Sequence, residues 1–229
     1  MLRQMSRRAH VDALLKDGLD KMTSNNLAKV LKSENDSADC TPTPLNPIQV
    51  AEALKKSPKL AEEHYNALLI YLQGTGQQYR AFHALPHPPN ALILPQHAKL
   101  PLQVHLHDRT FSCQKSHEGN SAIQFYSPYT QEHSTGFIYV IWQVLLEAVM
   151  HTFIVVRLHR PLTALEEGQA PFLYYPGFMT RIVDALPSDN FLIIEPTHIV
   201  THLTTFRRPA GTYGIPKETL IICWALNRG

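Results

Sequence analysis

From Ser134 to Gly229 the chain is written as short runs of β-branched and aromatic residues, broken every few positions by Pro, Gly, Asp or Asn. A helix cannot accommodate that punctuation, whereas strands of four to eight residues joined by turns can. The pattern predicts strands over Gly136–Val144, Thr152–Leu158, Arg181–Ala185, Phe191–Ile194, Ile199–Phe206 and Leu220–Ala225. Pro187-Ser188-Asp189-Asn190 is a turn between two of them. Two further strands, Gln103–His107 and Ser121–Tyr126, precede this block. Evenly spaced short strands describe a small antiparallel barrel or sandwich.

Upstream the signals change to helical. Ser6 caps a stretch with Val11, Leu14, Leu15 and Leu19 at helical spacing, and Ser24 or Asn25 starts a second short helix. The segment KSENDSADCTPTPLNP reads as a linker. Asn46-Pro47 and Ser57-Pro58 each read as helix starts, the second leading through Leu60, Tyr65, Leu68, Leu69 and Leu72 to a stop at Gly74. Residues 74–102 then form a Pro/His-rich connector, in which Pro86, Pro88, Pro89, Pro95 and Pro101 exclude a continuous helix or central strand. We expect Leu92, Ile93 and Leu94 to anchor it on the next domain. The expected class is α+β: a helical region at 1–73, a connector at 74–102 and a mostly antiparallel β-barrel at 103–229.

The totals narrow the function classes. A net charge of +2 is too mild to indicate nucleic-acid binding by itself. Three dispersed cysteines, Cys40, Cys113 and Cys223, do not make a disulfide framework and suit a reducing compartment. No apolar run reaches the ~20 residues of a membrane-spanning helix, so no membrane association is expected. Arg3, Arg7 and Arg8 precede Asp12, Asp17 and Asp20, which favours a basic first helical turn over a targeting presequence.

Motifs for catalysis are sparse. There is no G-x-S-x-G elbow and no Gly-rich phosphate loop. The one His/Cys cluster with metal-ligand types is His105, His107, Cys113 and His117, three imidazoles and a thiol in a spacing that matches no common zinc pattern. His198 and His202 sit four apart in a β-favouring context, where strand geometry separates them by ~13 Å and makes them structural. No cofactor is expected. Basic positions Arg157, His159, Arg160, Arg207 and Arg208 lie at predicted strand ends and form a candidate cationic surface for phosphate or an acidic tail. Arg157 and His159 share one strand face. Tyr174 and Tyr175, beside Pro171 and Pro176, are the aromatics most expected to be exposed.

The order of signals from Gly136 onward resembles a bromo-adjacent homology (BAH-like) domain. An early strand, Gly136-Phe137-Ile138-Tyr139-Val140-Ile141-Trp142, is followed by a second ending in a charged element, Val155-Val156-Arg157-Leu158-His159-Arg160-Pro161. Glu166-Glu167, a Tyr-rich stretch and a late strand, Ile199-Val200-Thr201-His202, come next. The block from about 120 to 229 is also similar to the C-terminal region of fungal transposon-associated proteins of the Kyakuja–Dileera–Zisupton group. The resemblance rests on Gly136–Ile141, Pro161-Leu162 and Ile199–His202. It implies a nuclear, non-enzymatic module that binds chromatin, nucleic acid or a protein partner, with the N-terminal helices as a further protein-docking element. The alternatives are a metal-dependent enzyme, or enzyme remnant, on the His/Cys cluster, and a structural oligomerisation protein.

Overall fold

The computed structural model describes residues 37–46, 48–49, 52, 57–106 and 109–224. The chain divides into two compact units, Met1–Ser37 and Ala38–Gly229. The helices expected before residue 32 lie outside the described residues, and the account below concerns the second unit.

Its elements in chain order are β1 (Ser37–Asp39), β2 (Thr43–Pro44), α1 (Glu62–Gly74), β3 (Tyr79–Arg80), β4 (Leu92–Ile93), β5 (Gln103–Leu106), β6 (Arg109–Ser112), β7 (Ala122–Tyr126), β8 (His133–Leu146), β9 (Val149–Leu158), α2 (Ala164–Glu167), β10 (Thr180–Asp184), β11 (Phe191–Ile194), β12 (Ile199–Arg208) and β13 (Thr219–Trp224). The fold is mostly β. Eight strands make one curled antiparallel sheet in the order β10-β13-β12-β7-β8-β9-β11, with β2 added to β9. Thr43–Pro44 and Ser37–Asp39, read from sequence as linker, are therefore short strands. Pro44 is tolerated because β2 is a two-residue edge strand.

The β8–β9 hairpin is the spine of the sheet. Its turn residues Glu147 and Ala148 both have positive φ, 49° and 66°. That is the two-residue geometry whose twist matches the flanking strands. Tyr79 donates its hydroxyl to Glu147 Oε1 at 3.0 Å and holds the turn down. Burial and this carboxylate push the Tyr79 phenol up to about 12. Gly136 leaves no room for a side chain against β9: a Cβ there would lie 2.4 Å from the Arg157 carbonyl oxygen.

A bulge between Ile138 and Val140 inserts Tyr139 as an extra residue in β8. The side-chain alternation changes phase there. One face of the hairpin thus carries Phe137 before the bulge and Trp142 and Val144 after it, opposite Phe153, Val155 and Arg157 of β9 and His159 just beyond its end. The other face carries Ile138, Ile141, Ile154 and Val156, which pack with Val104 and Phe111 of the β5–β6 hairpin and with Cys113 just after it. Arg109–Ser112 was not expected as a strand, since it lacks a β-branched apolar run. It forms because Phe111 fills that second core opposite Val104.

On the first face, Trp142, Val144, Phe153 and Val155 receive α1 through Tyr65, Leu68, Tyr71 and Leu72. These four recur at helical spacing, and burying each contributes about 1.5–3 kcal/mol. The helix begins at Glu62, four residues later than Ser57-Pro58 suggests. The intervening backbone is drawn into extended pairing with the connector instead: Leu60 N–H donates to Gln96 O at 2.8 Å and Ala98 N–H to Pro58 O at 3.1 Å. Leu94 is buried in the same core, as expected, whereas Leu92 and Ile93 are exposed. Lys99 and Gln143 exchange both backbone hydrogen bonds at 2.9 Å, which fastens the connector to β8 beyond the end of β7. Asn46 acts as the expected cap, accepting from the Gln49 N–H at 2.9 Å.

At the opposite end of that face the sheet curls over itself. Val183 of β10 bridges to Pro161, just after β9, and Asp184 N–H donates to Arg160 O at 3.0 Å. The inside of the curl is filled by Ala122, Phe137, Val183, Leu203, Leu220 and Ile222.

Candidate functional site

Between β9 and β10 the chain leaves the sheet and runs through α2 and two short 3-10 helices, Pro171–Tyr174 and Pro176–Phe178. Pro171, Pro176 and Gly177 forbid both a strand and a longer helix, so the apolar run Phe172–Met179 cannot bury itself by regular pairing. Leu165, Tyr174, Tyr175 and Phe178 are 79%, 77%, 60% and 67% exposed. Leu173 and Met179 are exposed beside them. The exposure expected of Tyr174 and Tyr175 is found, and their apolar neighbours extend it.

The frame under these side chains is fixed by polar contacts. Thr163 and Glu166 form a reciprocal capping box at the start of α2. Lys217 Nζ lies 3.1 Å from both Glu166 Oε2 and Asp184 Oδ2, tying α2 to the end of β10. The backbone N–H of Thr163, Lys217 and the Thr163 hydroxyl hold the Glu166 carboxyl below its usual range, and the two carboxylates raise Lys217. Arg181 Nη2 reaches Glu167 Oε1 at 3.2 Å. Above the frame, the Tyr175 and Phe178 rings meet edge to face at 5.8 Å, and Phe172 meets Tyr213 at 6.1 Å.

The basic candidates do not share this surface or one another's. Arg157 and His159 belong to the β9 end and Arg207 and Arg208 to β12, with β7 and β8 between them in the sheet. Three strand spacings amount to about 14 Å. Arg207 stands 3.6 Å from both Glu118 and Glu218. Arg160 lies 3.7 Å from Asp189 and donates to Pro187 O at 3.3 Å. Arg208 is exposed at the strand end. His159 is buried, with its ring edge-on to Phe137 at 4.7 Å and Nδ1 3.0 Å from Thr135 Oγ1. Burial lowers its pKa to about 4, so it is neutral at physiological pH and adds nothing to a cationic patch.

Of the His/Cys cluster, His107 lies outside the described residues. The other three are not brought together: among the described residues, His, Cys, Asp and Glu form no group of three able to hold an ion. His105 Nδ1 pairs with Thr110 Oγ1 at 2.9 Å, and His117 Nδ1 accepts from the Asn120 N–H at 3.2 Å. Burial pushes the Cys113 thiol up, away from the thiolate that a metal requires. His198 closes a 3-10 turn, not the strand expected for it, and its Nδ1 accepts from the Glu195 N–H at 3.3 Å. His202 stacks on Phe111 at 4.0 Å and its Nε2 lies 3.1 Å from Thr110 O. Both have local structural partners.

Compared with protein-family models, curated proteins and solved structures, the chain matches none of them. Among the described residues no helix is long and apolar enough to cross a membrane. The functional reading therefore rests on the residues themselves. Sequence reasoning missed Leu165, Leu173, Phe178 and Met179 as surface groups. The signal was present: an apolar run interrupted by Pro171, Pro176 and Gly177, with neither strand nor helix period.

Proposed function

We propose that residues 103–229 act as a non-enzymatic binding module, BAH-like in architecture, which docks a protein partner on the Leu165–Met179 segment. One observation carries the reading: large apolar side chains crowd this segment and stay in water. Monomeric proteins rarely leave such a group uncovered, and Tyr, Phe and Met are enriched at the centres of protein interfaces. The capping box and the Lys217 and Arg181 ion pairs hold the frame, so little conformational entropy is lost on docking. A curled antiparallel sheet with the late strand Ile199–Arg208 supports the BAH-like part of the proposal.

Chromatin or nucleic acid, with a transposon-associated origin and a nuclear location, is the second reading. The exposed Arg207-Arg208 pair favours it. Against it, Glu118 and Glu218 already face Arg207, and the remaining cations are dispersed.

The test uses the wild-type chain and a Tyr174→Ser/Phe178→Ser double variant. Partners captured by the wild type are purified and titrated against both between about 50 and 500 mM salt. The protein-docking reading expects the double variant to lose about tenfold or more in affinity, with little change across the salt range. Duplex DNA binding that falls steeply with salt and ignores the double substitution would reverse the order of the two readings.

A further inference from the structure

The inward face of the curl holds more than its apolar filling. Along β7, β8, β10 and β13, the residues that share a face with Ala122, Phe137, Val183 and Ile222 are Gln124, Thr135 and His133, Arg181, and Trp224. Side chains two apart on a strand point the same way, so these groups continue the inner face toward one end. The pairings Gln124 with Thr135, Leu203 with Trp224 and Arg181 with Ile222 set them along that face. They enclose an open cup of about 310 Å³, with His159 and Pro161 from the closing segment completing its wall.

His159 is the most buried polar side chain of that wall, 8% exposed, and its Nε2 has no hydrogen-bond partner. A buried polar nitrogen left unpaired is destabilising. Such exceptions call for an explanation, and an absent ligand is one. The other contents of the cup say which kind. Arg181 brings a guanidinium to it; Glu167 already engages Nε and Nη2 through a single oxygen, Oε1, which offsets part of the charge and leaves the rest of the fork for a guest. Among the described residues no Asp or Glu lines the cup; the carboxylate that pairs with Arg181, Glu167, is not part of its wall. Ser134 and Gln124 add hydrogen-bonding groups, while Trp224 and Pro161 present flat apolar surface. Small-molecule sites characteristically combine mostly apolar walls with a few convergent polar groups, and the mouths of curled or closed sheets are common places for them.

We propose that this cup binds a small organic carboxylate with a flat apolar body, its carboxylate accepting from Arg181 and from the Nε2–H that His159 carries when Thr135 donates to Nδ1, and its body against Trp224. The volume is at the lower end for such sites and suits a guest of roughly ten non-hydrogen atoms. Burial keeps the His159 imidazole uncharged, so the charge that selects the carboxylate comes from Arg181 alone. The site is distinct from the Leu165–Met179 surface, but Arg181 also pairs with Glu167 in the frame under that surface, so the acid–amide comparison on the wild-type chain is what separates the two readings.

The probe is phenylacetate, titrated into the full chain against 2-phenylacetamide as its uncharged counterpart. Binding is followed in nitrogen-resolved spectra of the imidazole and indole rings. The expected result is saturation with a Kd of about 1 mM or tighter. Shifts are expected at His159 Nε2 and Trp224 Nε1 but not at the buried Trp142. The amide and the Arg181→Gln variant should each bind about tenfold more weakly, as loss of one charge-assisted contact at a partly exposed site implies. No saturable shift up to about 20 mM in a probe of this efficiency range, equal affinity for acid and amide, or shifts confined to other residues would each overturn the proposal. Because the acid–amide comparison uses the wild-type chain, it decides the matter even if Arg181→Gln fails to fold.

Discussion

The guanidinium of Arg157 lies over the face of the Tyr139 ring, 3.9 Å from its centroid. Tyr139 is the bulged residue of β8, and the bulge is what brings its ring under a side chain of β9. Arg157 is therefore committed to an intramolecular cation–π contact before any phosphate arrives. A double-mutant cycle with Arg157→Gln and Tyr139→Leu, measured by urea unfolding, should give a coupling of about 0.5–1 kcal/mol. A coupling near zero would return Arg157 to the pool of free surface cations.

His159 makes stability depend on acidity. Its pKa falls from 6.5 to about 4 on folding because burial disfavours the charged ring. Between those values the unfolded chain binds a proton that the folded chain refuses, so stability rises with pH across that window and is lost as pH falls through it. From pH 6.5 to 5 the loss due to His159 is about 2 kcal/mol. His64 and His202 are also lowered, first by desolvation, and act in the same direction. Urea midpoints at the two pH values should show the fall in the wild type and a visibly flatter response in His159→Leu.

Gly136 is required by proximity. An added Cβ would meet the Arg157 carbonyl oxygen at 2.4 Å and Val156 Cγ1 at 2.6 Å, and the first of these is backbone. Gly136→Ala should lower the melting temperature and cost about 2 kcal/mol or more, the usual scale of forced overpacking. A neutral result would mean that β8 and β9 are spaced more widely at this point than described.

α1 belongs to the core of the sheet. Leu68 is fully buried against it, while Ile70, on the other side of the helix, is exposed. Leu68→Ala should cost about 2–5 kcal/mol, and Ile70→Ala should stay within about 0.5 kcal/mol. Equal effects at the two positions would show that the helix does not dock on Trp142 and Phe153.

The strands were legible because their residues leave few alternatives. Val149–Leu158 and Ile199–Arg208 are rich in β-branched side chains, and the Pro and Gly positions between elements stop any longer helix. Their faces were not legible. Phe137-Ile138-Tyr139-Val140-Ile141-Trp142 is apolar throughout, since both sides of β8 are covered, and alternation carries no information where neither face meets water. The bulge at Tyr139 leaves no mark in composition, and Glu147-Ala148 carries none of the Gly or Asn that usually announces its turn.

The candidate site divides along the same line. Composition identified Tyr174 and Tyr175 as exposed, because prolines on either side deny that stretch regular pairing. It grouped Arg157, His159, Arg160, Arg207 and Arg208 by charge alone, and the sheet order separated them. By itself, then, the amino-acid order determined the longer strands, the helix through Leu68 and the Pro- and Gly-marked turns, since those follow from local sterics and side-chain shape. Only the tertiary structure decided that His159 is buried and neutral, that Arg157 rests on Tyr139, and that Gln124, Arg181 and Trp224 meet around one cup. Those relations join residues far apart in the chain, and they exist only once the sheet has curled and closed at Pro161 and Val183.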